Sequence, residues 1–352
     1  MSHDRGCRCG LERFEYDQCD RKDCWNRKKP ERKEMSLLSK IKKNSTIEYT
    51  STLSESMFFN ERDMIQTSVP MLNVALSGSL KGGLTPGLTM FAGQSKNFKS
   101  MFSLLMAKAY LEKYDDAVLL FYDSEFGTPS DYFKILKIDM GRVVHTPVTD
   151  VEELKFDITK QLKDVTRGEK LIIVIDSIGN LASKKEVDDA LDQKSVADMT
   201  RAKQMKSLFR MVTPHLRLKN IPLVVVNHTY KEIGMFPKDI VGGGTGSYYS
   251  SDNIFIIGRQ QEKDGTELVG YNFIINVEKS RYVKEKSKIP IRVTFDSSIS
   301  TWSGLLDVAL EGKFVIKPKN GWYQKVNPET GEVEEKLYRE KDTDSKEFWA
   351  PI

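Results

Sequence analysis

Residues Gly93–Ser100, GQSKNFKS, stand between the apolar run Leu88–Ala92 (LTMFA) and the amphipathic run Ser100–Tyr114 (SMFSLLMAKAYLEKY). The spacing from Gly93 to Lys99 and Ser100 is that of a phosphate-binding loop, G-x-x-x-x-G-K-[ST], with Phe98 where the second glycine belongs. In such a loop, backbone N–H groups and a helix N-terminus surround the phosphates, the lysine adds a point charge, and the Ser/Thr hydroxyl binds Mg²⁺. Gly93, Gln94, Ser95, Lys96, Asn97, Phe98, Lys99, Ser100 and Met101 are therefore the candidate cradle for a nucleoside triphosphate. Only the backbone, Lys99 and Ser100 carry that chemistry. Phe98 is tolerable provided that it is right-handed helical and turns its ring away from the phosphates.

Outward from this loop the pattern is strand, turn, helix, repeated. Leu88–Ala92, Ala117–Asp123, Val143–Val148, Leu171–Ser177 and Pro222–His228 read as buried strands. Thr128 with Pro129, and Asp150 ahead of the periodic run to Arg167, read as helix starts, the second helix stopping at Gly168. Beyond Ser250, NIFIIGRQ, YNFIINVEKS and IPIRVTF read as antiparallel strands that extend the same sheet. The expected fold is α/β, a mostly parallel sheet with crossover helices and an antiparallel extension. Two buried strands end in acids. Asp176 falls where the partner of a Mg²⁺-bound water sits, and Glu125 where a base can deprotonate water for attack on a γ-phosphate. Together with Lys99 and Ser100 they read as an ATPase.

With 352 residues and a 39% hydrophobic fraction, the chain can hold one large core with appendages. No apolar run is long enough to cross a bilayer, and MSHDRGCRCG has no apolar segment behind its basic residues, so the expected location is the cytoplasm. A net charge of +4 leaves nucleic-acid binding to local basic surface. All four cysteines, Cys7, Cys9, Cys19 and Cys24, lie at the start. Four thiolates can close a zinc site, but C-x-C followed by C-x4-C departs from paired C-x2-C spacing, which favours a polar, disordered extension. The expected divisions are 1–34 (extension), 35–65 (an amphipathic oligomerisation segment), 66–305 (the ATPase core) and 306–352, a turn-rich region with no assigned structure.

The order of ALSGSLKGGLTPGLTMFAGQSKNFKS, FYDSEFG, IIVIDSIGNLASKK, VVVNHTY and VGGGTG resembles the RecA-type recombinases, and within them the UvsX group of T-even-like bacteriophages. The resemblance runs from Met35 to about Trp349, and the UvsX group shares Phe98 in its phosphate loop. It implies a RecA-like ATPase core binding ATP and Mg²⁺, with Gly93, Lys99 and Ser100 on the triphosphate, Asp176 supporting the metal and Glu125 as base. It places Tyr132 against adenine, where the bland alternative is a helix-face aromatic, and His228 where RecA has a γ-phosphate-sensing glutamine. Lys279 and Arg281 resemble basic residues that reach a neighbouring subunit's site. Two DNA loops are implied: Asp188–Arg201, with Lys194 and Arg201, and Thr229–Gly244, with Lys231, Met235, Phe236, Lys238, Gly242, Gly243 and Gly244. The implied activity is ATP-hydrolysing strand exchange by a helical homo-oligomeric filament on single-stranded DNA, pairing it with double-stranded DNA in recombination, repair and replication. A recombination mediator, a single-strand-binding protein and a helicase are the implied companions. The rivals are a ring-shaped helicase on the same core and an accessory nucleotide-binding protein. LSGSLKGG lies before the phosphate loop instead of after it, which removes an ABC-type ATPase.

Overall fold

A computed structural model describes residues 36–60, 63–128, 130–192, 199–232, 234, 238–295 and 298–350. Contacts divide the chain into two units, the first ending at Asn60 and the second beginning at Glu61. In the first, Ser36 caps helix α1 (Leu37–Asn44) by accepting from the Ser39 N–H, and Lys42 pairs with Glu55 at 2.6 Å. Helix α2 (Met57–Asn60) closes the unit. The cysteines lie outside the described residues.

In the second unit, helix α3 (Pro70–Ser77) begins with proline, whose fixed φ suits a first turn, and ends at left-handed Gly78. A nine-stranded sheet follows. Its parallel strands are β1 (Gly87–Ala92), β2 (Val118–Asp123), β3 (Val143–Pro147), β4 (Leu171–Asp176) and β5 (Pro222–Asn227). The crossovers carry α4 (Lys99–Lys113), α5 (Ser130–Ile135), α6 (Val151–Asp164), α7 (Lys184–Leu191) and α8 (Thr200–Lys219). After a short hairpin, β6 (Thr229–Lys231) with β7 (Asp239–Val241), and helix α9 (Thr245–Ser250), the long strands β8 (Asn253–Asp264) and β9 (Glu267–Lys279) form. β10 (Lys288–Thr294) and β11 (Ser298–Ile299) complete the antiparallel side. The spatial order is β11-β10-β9-β8-β1-β5-β4-β2-β3, with β8 parallel to β1 and antiparallel to β9. The expected α/β class and the antiparallel extension are both present.

Residues alternate between two buried faces. Phe91, Phe121, Val174 and Val224 pack with Phe102 and Leu105 of α4 and with α3 on one side. Met90, Tyr122, Ile173, Ile175 and Val225 pack with Leu154 and Ile158 of α6 and with Leu208, Phe209 and Val212 of α8 on the other. Burial on both faces is why these strands read as unbroken apolar runs. The same layering aligns the C-terminal ends of β1, β5, β4 and β2, pairing Ala92 with Asn227 and Asp123 with Asp176. Ligands of open α/β sheets bind along that edge.

Two limits differ from the sequence reading. Asp150 caps α6 through the Glu153 N–H at 2.7 Å, as its position predicts, but α6 ends at Asp164, where the Glu169 carboxylate accepts from the Thr166 N–H and bends the chain. The Thr128 hydroxyl donates to Asp176 at 3.3 Å, and Pro129, expected at the first turn of α5, is outside the described residues. The loop expected over Asp188–Arg201 is shorter, because α7 and α8 take both of its ends. The region after Trp302 is built: α10 (Leu305–Glu311), a small sheet of β12 (Val315–Lys319), β13 (Trp322–Lys325) and β14 (Tyr338–Arg339), and α11 (Lys346–Trp349). Ala309, Val315, Tyr323, Tyr338 and Phe348 form its separate core.

Candidate active site

The phosphate loop hangs between β1 and α4, tethered to β8. Asn97 is buried and donates to the Ile257 carbonyl at 2.6 Å, and the Lys96 carbonyl accepts from Arg259 at 3.3 Å. A Cβ on Gly93 would stand 2.9 Å from the Ile257 oxygen, so close approach to β8 requires glycine there. Gln94, Ser95 and Lys96 are exposed, whereas the Met101 side chain points into the core and only its backbone belongs to the first turn of α4. Lys99 is 7% exposed, and its Nζ donates to the Gln94 carbonyl at 2.8 Å. Burial pulls its pKa down, while the charges of Glu125 and Asp176 hold it up.

Phe98 corrects one expectation and meets another. Its backbone is left-handed (φ 61°, ψ 15°), not right-handed. The position is the N-cap of α4, outside the helix, and Lys96 is left-handed as well (φ 62°). Left-handed residues alternating with right-handed ones form the nests that hold anions. A non-glycine residue in this region costs about 1–2 kcal/mol. The ring offsets that cost inside the protein, stacked on Phe273 at 4.8 Å and edge-on to Phe102 at 5.4 Å. Phe98→Ala keeps the strain and loses the packing; Phe98→Gly loses the packing but also relieves the strain. Both variants should unfold at lower urea than the natural protein, alanine lower than glycine by about 1 kcal/mol. Alanine being the more stable of the two would contradict the left-handed assignment.

The acidic side is closely wired. Asp176 ends β4 at 1% exposure, beside a cis peptide to Ser177. Burial pushes its carboxyl up to about 6, against the opposing pull of the nearby Ser100 hydroxyl and of the Thr128 hydroxyl, which donates to Oδ2 at 3.3 Å. Its Oδ1 has no hydrogen-bond partner among the described residues. A buried carboxylate oxygen left open beside a hydroxyl suits a hard divalent cation, so Ser100 and Asp176 fit Mg²⁺. Glu125 Oε1 accepts from the Ser177 hydroxyl at 2.7 Å and lies 2.9 Å from His228 Nε2. The His228 hydrogen bond chiefly holds the Glu125 carboxyl down at about 2. His228 in turn bonds through its backbone to the second loop: its carbonyl accepts from the Gly242 N–H at 3.0 Å, and Asn227 Nδ2 donates to the Gly242 carbonyl at 2.8 Å.

The RecA N-terminal domain model matches residues 36–300. The chain belongs to the RecA family. The model of the C-terminal domain of the bacteriophage T4 recombination and repair protein matches residues 302–352. The recombination and repair protein of Enterobacteria phage T4 is 55% identical over 90% of this chain and 82% of its own length. RecA of Salinispora tropica is 25% identical over 80% of each chain, and RecA of Francisella tularensis subsp. novicida is 25% identical over 86% and 82%. Membership of the UvsX branch accords with both family models.

Other positions singled out from the family pattern are placed less simply. Lys279 Nζ donates to the Tyr248 carbonyl at 2.8 Å, and Arg281 Nε to buried Asp252 at 2.5 Å, so both are tied within the chain. Tyr132 is half-buried on α5 against the core. Arg201 donates to the carbonyls of Ile178, Gly179 and Leu181, which pins the turn after β4 instead of leaving the side chain on an open loop. Lys231 pairs with Asp239 at 2.9 Å across the β6–β7 hairpin, and Lys238 is exposed beside it. Gly242 is already held at the hairpin base, and Gly243 and Gly244 have positive φ. Lys194, Met235 and Phe236 lie outside the described residues. Two participants were not foreseen from sequence. Ser177 follows the strand-end acid directly, so IDS carried a signal for it; Gly179 carried none, since a Cβ there would meet the His228 ring at 2.2 Å.

Proposed function

We propose that the chain is a DNA-dependent ATPase that assembles as a helical filament on single-stranded DNA and exchanges strands with a homologous duplex in recombination and repair. The observation that carries this reading is the convergence of Lys99, Ser100, Asp176, Glu125 and His228, with His228 bonded to both Glu125 and the base of the β6–β7 hairpin. The likeness to a phage recombination and repair protein supports it.

Lys99 and the loop amides hold the triphosphate, and Ser100 and Asp176 hold Mg²⁺. When held there, Mg²⁺ would supply neutralisation of phosphate charge. In the free protein the Glu125 carboxylate is a weak base, held at about 2 by His228. Transfer of the His228 hydrogen bond from Glu125 to a γ-phosphate oxygen raises the basicity of Glu125. Glu125 then takes a proton from water as the water attacks the γ-phosphorus, releasing ADP and phosphate. The same transfer moves the backbone that anchors Gly242, linking nucleotide state to the DNA loop. Lys231, Lys238 and residues 194, 235 and 236 supply the DNA contacts, phosphate charge giving affinity and apolar wedges spacing the bases. Arg201 acts here by holding the turn after β4.

Tyr132 stacks on adenine, and Lys279 and Arg281 leave their internal partners to reach the adjoining subunit's phosphates. Leu37, Leu38 and Ile41 of α1, exposed by 57–73%, dock head to tail on the next copy. No described helix is long and apolar enough to cross a membrane; the proposed location is the host cytoplasm, beside a mediator, a single-strand-binding protein and a helicase. ATP hydrolysis measured with and without single-stranded DNA tests the reading. Marked stimulation by DNA is expected, and DNA-independent turnover would overturn it.

A further inference from the structure

Glu125 belongs to a turn that does not hold itself. Phe126, the next residue, is left-handed (φ 53°) and its side chain is 62% exposed, so no packing compensates the backbone strain. The turn is held from below by Asp123, the last residue of β2. Asp123 Oδ1 accepts from the Glu125 N–H at 3.0 Å and from the Phe126 N–H at 2.8 Å. Asp123 is 4% exposed, and a buried carboxylate needs a partner on each oxygen. The partner of Oδ2 is His145 Nε2, 3.3 Å away on the neighbouring edge strand β3, where the register sets Phe121 opposite His145. The imidazole, 52% exposed, is stacked on the Phe121 ring at an angle of 25°, centroids 5.8 Å apart. A carboxylate oxygen only accepts, so Nε2 carries the proton in this bond.

We propose that His145 is a positioning residue: it orients Asp123, and Asp123 sets the backbone from which Glu125 reaches the site. His145 touches no reacting atom and acts through two hydrogen-bonded steps. The functional part of this inference rests on the reading of Glu125 as the base; the structural part does not, and the two are tested separately.

The structural part is read by amide hydrogen exchange of the segment spanning residues 124–127 in the full-length protein. His145→Ala should speed exchange there by about tenfold, the order expected for loss of one hydrogen bond to a charged group. His145→Gln should return it towards the natural rate, because a glutamine amide nitrogen falls near the position of Nε2. The functional part is read by DNA-stimulated ATP hydrolysis. His145→Ala should lower kcat by about tenfold with KM for ATP within about twofold, since the phosphate loop is untouched, and His145→Gln should recover most of kcat. Combined with Glu125→Gln, His145→Ala should add no further loss.

Unchanged exchange at 124–127 in His145→Ala overturns the proposal whatever the kinetics. Faster exchange with unchanged kcat overturns its catalytic part. A parallel fall in melting temperature and in nucleotide affinity, not rescued by glutamine, also overturns it by showing a general structural role. Full turnover by Glu125→Gln alone, with exchange still faster in His145→Ala, overturns the reading of Glu125 as base and leaves the positioning of the turn standing.

Discussion

Lys99→Ala should reduce ATP hydrolysis by about 10²–10³-fold or more, the scale at which loss of a single preorganised charge at a phosphoryl group is felt. Lys99 is buried, and in the free protein its ammonium rests on one backbone carbonyl, that of Gln94. Burial disfavours its charge, and the nearby carboxylates of Glu125 and Asp176 sustain it. A triphosphate offers the ammonium far more negative charge than a carbonyl does, so the group is held ready for an anionic ligand. Its alanine variant loses this charge and little packing. Circular dichroism and melting should therefore stay near those of the natural protein while turnover disappears. Turnover at the natural rate in a folded Lys99→Ala protein would refute the site.

Asp176→Asn should separate stability from function. Burial raises the Asp176 carboxyl to about 6, above the ordinary aspartate value, so the folded chain binds that proton more tightly than the unfolded chain does. The sign follows by linkage: below the unfolded pKa the group costs nothing, and as pH rises through about 6 the folded state must carry a buried charge and loses stability. An asparagine carries no such charge. At pH 8 and without nucleotide, Asp176→Asn should be more stable by about 2–3 kcal/mol, a rise in Tm of roughly 4–10 °C. At pH 4 the difference should shrink towards zero. Added Mg²⁺ and ATP should raise the Tm of the natural protein and leave that of the variant nearly unchanged, because only the natural carboxylate stabilises the bound cation. A variant less stable than the natural protein at pH 8 would mean that the carboxylate is already satisfied without a metal. Such an exchange of stability for function is common where a site keeps a buried carboxylate with one oxygen unpartnered.

The central strands were legible because burial on both faces leaves long apolar runs, and because their ends carry the acids, Asp123 with Glu125 and Asp176, that the chemistry needs. Their alignment follows from parallel register, which brings the candidate residues Glu125 and Asp176 to one edge of the sheet. Backbone conformation was less legible. Phe98 was expected to be right-handed because the cost of the left-handed region is local, whereas its compensation comes from Phe273 on β9, far away in sequence. The charge of Arg201 is visible in the sequence, but the three carbonyls to which its side chain donates are not. The region after Trp302 gave no strand signal because its short strands pack aromatic rings against cations: Lys317 lies over Tyr323, Lys325 over Tyr338, and Arg339 over Trp322 at 3.8 Å. Those residues read as a charged surface. His145 gave no signal at all, since its partner is fixed by strand pairing alone.

Joint-molecule formation tests the central claim most directly. Single-stranded DNA, a homologous duplex, ATP and Mg²⁺ are incubated with the natural protein and with Lys99→Ala, and paired products are separated from free strands. Homology-dependent joint molecules with the natural protein, and their loss with Lys99→Ala, are the predicted result. DNA-stimulated ATP hydrolysis accompanied by duplex unwinding but no homologous pairing would contradict the account and make the chain a motor on the same core.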